Sequence, residues 1–253
     1  IHTAAGLNAR RVVLVVGHGA SEIEANLRDL TGAEGSFDLE FVCQEPQLGT
    51  GHAMQQAAPV LAGDGIVVVL SGDVPLTQAD TLRALIAQCA GEHLALLTID
   101  FADPTGYGRI VRQGSGGDGA VTAIVEQKDA TPEQRQIHEA YSGIMAVPAC
   151  RLKGWLARLD NHNAQGEYYL TDIVKFAVAD GVPVRAHRID DALQVAGINS
   201  PAQLAELERA FQLRQARALM AQGVRLADPA RLDVRGELVC AQDVEIDGNC
   251  IFE

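Results

Sequence analysis

The residues best suited to chemistry are a few oxygen-bearing side chains set beside glycines. Asp73 follows Ser71 and Gly72 directly after the apolar run Ile66 to Leu70, and Pro75 keeps that run from continuing. A carboxylate at the carboxyl end of a strand can hold a divalent metal, whose hard character suits oxygen, and the metal can in turn hold phosphates. An Asp just after a strand is most often a turn residue or a helix cap. Asn199 stands just ahead of Ser200 and Pro201, an N-cap followed by a first-turn proline, so it reads either as a helix-entry turn residue or as a ligand. Gln44 opens a glycine-containing segment that runs through Gly49, Thr50 and Gly51 to His52; lying between a strand and a helix start, it is a cradle for an anion or a planar base edge, or a structural turn. In Asp103 to Arg109 the glycines, Gly108 among them, let backbone approach a ligand. Glu126 closes a strand and, on local pattern alone, reads as a surface partner of Lys128. The polar and aromatic stretch from Asn161 to Asp172 lines a pocket or forms a packed loop.

These residues need a scaffold. Ile66 to Leu70 reads as the central strand of a parallel sheet, buried on both faces, and Arg11 to Val16 as a second buried parallel strand. Ser21 and Glu24 form a capping box ahead of Ile23, Leu27 and Leu30 at helical spacing. Phe37 to Val42 is a strand, Ala53 to Leu61 a helix, Leu82, Leu85 and Ile86 mark another helix, and His93 to Ile99 is a further strand. The alternation predicts a doubly wound α/β sheet with right-handed crossovers. Shorter β-rich pieces follow at Tyr107 to Arg112, Val121 to Gln127 and Tyr141 to Val147, reading as a mixed or antiparallel lobe. A helix over Ile173 to Ala179 comes next, and the longest helix spans Pro201 to Gln222 with Gly223 as its stop.

Beyond Gly223 the period changes. Leu232, Leu238, Val244 and Cys250 recur every six residues, as do Val234, Cys240, Ile246 and Phe252. That repeat points to a coil of a parallel β-helix, an architecture that normally needs three or more repeats, so the sequence reads as cut within a second domain. Its start at Ile1, partway into a helical pattern, reads the same way.

Composition narrows the function. With 253 residues, 47% of them apolar, the chain can bury a large core in one domain or two. A formal net charge of -13 argues against a nucleic-acid or anionic-membrane partner, and an anionic ligand would need local backbone N–H groups, a few basic side chains and a cation. The five cysteines are scattered and never form a C-x-x-C pair, which suits buried free thiols in a reducing compartment. With no signal peptide and no long apolar run, the expected location is the cytoplasm.

Several long motifs in order carry a resemblance that covers essentially the whole chain: Gln47 to Ala53, Gly72 to Leu76, Asp103 to Ile110, Ile124 to Ala130 and Asn163 to Tyr169. Together they resemble the family of bacterial bifunctional N-acetylglucosamine-1-phosphate uridylyltransferase / glucosamine-1-phosphate acetyltransferases. The resemblance implies an α/β fold: a Rossmann-like nucleotidyltransferase domain with a mixed sheet over 1–200, a long linker helix over 201–223, and the first coil of a left-handed parallel β-helix over 224–253. It implies that UTP and N-acetylglucosamine 1-phosphate give UDP-N-acetylglucosamine for cell-wall and lipopolysaccharide synthesis, with magnesium as cofactor and a homotrimer as the full-length assembly.

By the same resemblance, Gln44, Gly49 and Thr50 match uracil contacts. Ser71, Gly72 and Asp73 match the turn beside ribose and metal, Asp73 and Asn199 the two protein ligands of magnesium, and Gly108 and Glu126 the sugar contacts. Two departures stand out: Ser71 replaces a common Tyr, and Tyr141 replaces the usual Asn, which puts the sugar contact at that position in question. The family's triphosphate-holding loop, with its Arg and Lys, and the acetyl-CoA site are not in this sequence, so this exact chain is expected to bind uridine nucleotide weakly and turn over nothing. The alternatives are a nucleotidyltransferase for another sugar 1-phosphate and a non-catalytic nucleotide-binding module.

Overall fold

The structure, a computed structural model, describes residues 1–34, 38–114 and 119–253, and the side chains among them except those at 2 and 28–34. Phe37 lies outside the described residues, and the side chain of Leu30 outside the described side chains. The chain forms two compact units, Ile1–Ser71 with Thr77–Asp190, and Gly72–Leu76 with Asp191–Glu253.

The first unit begins with α1 (His2–Ala5), β1 (Arg11–Val16), α2 (Ala20–Glu34), β2 (Asp38–Cys43), α3 (Thr50–Ala57) and β3 (Ile66–Val69). It continues with α4 (Ala79–Cys89), β4 (Leu94–Asp100), β5 (Gly108–Arg112), β6 (Val121–Val125), β7 (Glu139–Pro148), α5 (Ala149–Leu156), α6 (Ile173–Ala179) and β8 (Val184–Ile189). Strands β1 and β2 pair in parallel, as a β-α-β unit requires. Ser21 falls inside the first turn of α2 rather than at its cap.

The principal sheet is mixed and runs β6-β5-β7-β4-β8, with β3 also on β7. Here the parallel-sheet expectation for Ile66 to Leu70 is corrected: β3 pairs antiparallel with β7, through Val67 opposite Val147, and is half-buried, while Leu70 is exposed. The buried centre is instead β4, whose residues Leu94 to Ile99 are all buried, with β7 antiparallel on one side and β8 parallel on the other. An apolar run of four to six residues reports burial but not the direction of its neighbour.

One core joins β4, β6 and β7 to α5 and α6 through Leu96, Ile124, Met145, Leu152, Trp155, Ile173 and Val174. The Trp155 indole N–H donates to Asp180 Oδ2 (2.8 Å), so the ring is buried without leaving its one donor unpaired. All five cysteines are free, but the expectation of buried thiols holds only for Cys89; Cys43 and Cys150 are exposed and Cys240 and Cys250 half-buried. Among the described residues no helix is long and apolar enough to cross a membrane.

The second unit is built on α7 (Pro201–Ala221), capped by the Ser200 hydroxyl, which accepts from the Gln203 N–H at 3.2 Å. Four short strands follow: β9 (Arg225–Leu226), β10 (Leu232–Val234), β11 (Glu245–Ile246) and β12 (Cys250–Phe252). Pairing is parallel, Leu232 beside Cys250, three repeats of six further on, and Leu226 beside Ile246, 20 residues on. All eight positions of the six-residue pattern enter one core with Ala216 and Leu219 of α7, consistent with the start of a β-helix. The buried carboxamide of Gln212 completes this unit: it accepts from the Val234 N–H (2.8 Å) and donates to the Val234 carbonyl (3.0 Å), pairing with an edge as a strand would.

Candidate functional site

The glycine-containing loop is laced to the polar segment near 168. The Gly51 N–H donates to the Tyr168 carbonyl (2.7 Å), and the Tyr168 N–H to the Leu48 carbonyl (2.8 Å). Gly49 has a φ of 105°, and a Cβ there would lie 2.7 Å from the Tyr168 carbonyl oxygen; one on Gly51 would lie 2.8 Å from the same atom. Both glycines are therefore demanded by packing, whatever else they do. Gln44 reaches back over the loop: its Nε2 donates to the Gly49 carbonyl (2.9 Å) and contacts His52 Nδ1 (3.1 Å). Thr50 Oγ1 accepts from the Leu170 N–H (3.2 Å), which leaves its hydroxyl hydrogen to donate elsewhere. The end of the stretch from Asn161 to Asp172 is thus hydrogen-bonded to the glycine-containing loop.

A second cluster in the same unit gathers Gly108, Glu126, Tyr141 and Thr171. Register places Gly108 opposite Tyr141, and a Cβ on Gly108 would meet Ile124 Cγ2 at 2.7 Å and both Glu126 carboxylate oxygens at 3.6 Å. Glu126 accepts from the Thr171 hydroxyl (2.8 Å), which corrects the expectation of a surface pair with Lys128. Burial pushes its pKa up and the neighbouring Asp172 and Asp129 add to that, with the Thr171 bond opposing them. Tyr141 is 8% exposed and its hydroxyl has no partner among the described residues; burial, and then the charge of Glu126, raise its pKa. Tyr169 donates to Asp129 Oδ2 (3.1 Å) at the edge of this group. Arg109, 1% exposed, donates to the Tyr107 carbonyl and to Gln127 Oε1 (2.6 Å), which ties the loop at 103–107 to the end of β6. Ser71 Oγ approaches β7, lying 2.8 Å from where a Cβ on Gly143 would stand.

The third cluster lies in the second unit. The Ile198 N–H donates to the Asp73 carbonyl (2.9 Å), and the Asn199 N–H to Gln203 Oε1 (2.7 Å). Asp73 Oδ2 and Asn199 Nδ2 both lie within 3.7 Å of one point, the place a Cβ on Gly197 would fill. Both side chains are exposed, and Gly72 has open space around it. The arrangement suits a hard divalent cation: one carboxylate, one carboxamide whose oxygen and nitrogen exchange by a half-turn, and a gap kept open by a missing methyl group. Among the described residues no group of three or more His, Cys, Asp or Glu side chains could hold a metal.

Sequence reasoning singled out Asp73, Asn199, Gln44 and Glu126 but not their partners Gly197, His52 and Thr171. Thr171 lies 45 positions from Glu126, and only the fold joins them.

The first unit carries a glycine-laced loop after β2, the second a carboxylate–carboxamide pair, and each is a part that a nucleotidyltransferase uses. Residues 1–226 match the family model of the MobA-like NTP transferase domain, and the chain belongs to that family. Among curated proteins it is 72% identical over 253 residues to "Bifunctional protein GlmU" of Albidiferax ferrireducens, covering 100% of this chain and 54% of that protein. It is 53% identical to the protein of the same name from Azotobacter vinelandii, covering 98% of this chain and 52% of the relative. The chain therefore spans about half the length of the curated relatives it matches. A solved UDP-glucose pyrophosphorylase complexed with UDP-glucose shares the fold, with a TM-score of 0.63 at 15% identity over 83% of this chain and 84% of that one. Membership of the family is consistent with a divalent-metal requirement.

Proposed function

We propose that the protein containing this chain transfers a uridylyl group from UTP to N-acetylglucosamine 1-phosphate, giving UDP-N-acetylglucosamine and pyrophosphate, and that the longer protein also acetylates glucosamine 1-phosphate. The observation that carries this reading is the convergence of Asp73 and Asn199 on the gap at Gly197, in a chain 72% identical to a bifunctional relative. On this reading residues 1–200 are the transferase domain, 201–223 the linking helix and 224–253 the opening of a left-handed β-helix, with magnesium as the ion and a cytoplasmic homotrimer as the assembly.

A phosphate monoester has a second pKa of about 6, so the attacking sugar phosphate is already a dianion near neutrality and no general base is needed. Its oxygen forms a bond to the α-phosphorus of UTP while the bond to the β-phosphate oxygen breaks and pyrophosphate leaves. Positioning and charge neutralisation carry the rate. Gln44 accepts from the uracil ring, and the N–H groups of Gly49 and Thr50 donate to its carbonyl oxygens. Glu126 accepts from sugar hydroxyls through the lone pairs that Thr171 leaves open, while Gly108 lets the backbone approach the N-acetyl group. Ser71 and Gly72 line the turn beside the ribose. Asp73 and Asn199 hold the divalent ion, which when bound offsets the repulsion between the two anionic substrates.

The partnerless hydroxyl of Tyr141 favours a second reading, a different sugar 1-phosphate as acceptor. The test is pyrophosphate release from UTP by the protein at its full genomic length, offered a panel of sugar 1-phosphates, with an Asp73→Asn variant beside it. Preference for the N-acetylglucosamine compound and loss of most activity in the variant support the proposal. Near-normal turnover of the variant in magnesium refutes the metal assignment.

A further inference from the structure

We infer that His52 is a positioning residue for base selection: it holds the Gln44 carboxamide with both amide hydrogens turned inward, so that only an oxygen faces the nucleotide. The inference rests on the uridylyl-transfer reading and adds to it a determinant of which base is accepted.

The assignment of atoms follows from what each partner can do. The Gly49 carbonyl only accepts, so the Gln44 atom 2.9 Å from it is the amide nitrogen. That same nitrogen lies 3.1 Å from His52 Nδ1 and can only donate, so Nδ1 is the unprotonated ring nitrogen. The ring hydrogen then sits on Nε2, which is 3.0 Å from the Gln56 carboxamide and donates to its oxygen once that amide makes a half-turn. Gln56, four residues on along α3, thereby fixes the tautomer. Both Gln44 amide hydrogens are used, and no donor among the described residues reaches its Oε1. A group that presents only lone pairs accepts from the ring N–H of uracil and opposes the lone pair that cytosine carries at the same ring position.

Replacing His52 with Phe keeps a ring beside Tyr168, whose centroid is 6.2 Å from that of His52, but removes the acceptor. One amide hydrogen is then free to turn outward and meet cytosine. His52→Asn returns an oxygen close to the position of Nδ1. The experiment measures kcat/KM for UTP and for CTP with the protein at its full genomic length, for the parent and both variants. Because both substrates compete for one sample, the ratio does not depend on the folded fraction. The Phe variant is expected to lose about tenfold of the UTP/CTP ratio, the worth of one hydrogen bond at the upper end of the usual range, and the Asn variant to regain most of it. A parent with no preference for UTP overturns the reading beneath the inference, and the inference with it. A parent that prefers UTP, with a Phe variant that keeps the preference or an Asn variant that loses it equally, overturns the role of His52 alone.

Discussion

Gly197→Ala isolates the proposed cation position from the fold. The φ of Gly197 lies outside the left-handed range, so alanine fits the backbone, and the loss of chain freedom in the unfolded state stabilises by about 0.4–1 kcal/mol. Against this stands one tight contact, the new methyl carbon at 3.2 Å from Asp73 Oδ2, which the carboxylate relieves by moving a few tenths of an ångström. The bond from the Ile198 N–H to the Asp73 carbonyl and the Ser200 cap do not involve that carbon. Stability is therefore expected to change by less than about 1 kcal/mol. The methyl group nevertheless enters the gap that Asp73 and Asn199 border, and disturbing the groups that orient metal ligands typically costs about 10–100-fold in affinity. Rates of pyrophosphate release titrated with magnesium should show half-saturation raised by that factor, with an unchanged unfolding midpoint. An unaltered magnesium dependence, in a variant as stable as the parent, refutes the placement of the ion.

Three further outcomes follow from polar groups wholly or partly buried. Gln212→Met keeps the volume but strips the Val234 N–H of its partner and leaves its carbonyl only a 3.4 Å contact with Gln215, so urea unfolding should show the second unit weakened by about 2–4 kcal/mol. Glu126 has a folded pKa raised above its unfolded value, so its favourable contribution is complete below the usual carboxylate range and is lost as pH rises through the folded value. Glu126→Gln should therefore gain stability relative to the parent between pH 4 and pH 8 while its KM for sugar phosphate rises, and a gap that narrows with pH contradicts this. Burial alone would raise the Glu139 pKa, but Arg112, Thr98 and Arg188 together hold it lowered, so its stabilisation is present at neutral pH and lost as pH falls through the folded value. Arg112→Met leaves Arg188, among the described residues, as the remaining cation on this 7%-exposed carboxylate and should cost about 3 kcal/mol by urea titration at pH 7, with the loss shrinking in acid.

Much of this was legible in the sequence where periodicity is strong. Helix α6, the cap at Ser200 and the six-residue pattern after Gly223 fall where the spacing of apolar residues put them. The misreadings have physical causes. Strand β3 has the composition of a parallel strand, yet its neighbour β7 comes from 70 residues downstream, and local sequence carries no information about that pairing. Helix α5 carries a glycine and two basic residues in eight positions, and β8 alternates Arg and His with apolar residues, so neither stands out as an element. At the site, Asp73 and Asn199 were readable because each sits at a strand or helix end. Glu126 reads as exposed because its burial is supplied by Thr171 and Tyr141 across the fold.

Strand β4 acquires both of its neighbours late, from residues 139–148 and 184–189. During synthesis at roughly 5–20 residues per second, the six apolar-rich residues from Leu94 to Ile99 leave the ribosome about 5–20 s before the last of their partners exists. Until then a segment that ends up wholly buried has two bare edges, so the nascent protein is exposed to aggregation in that interval.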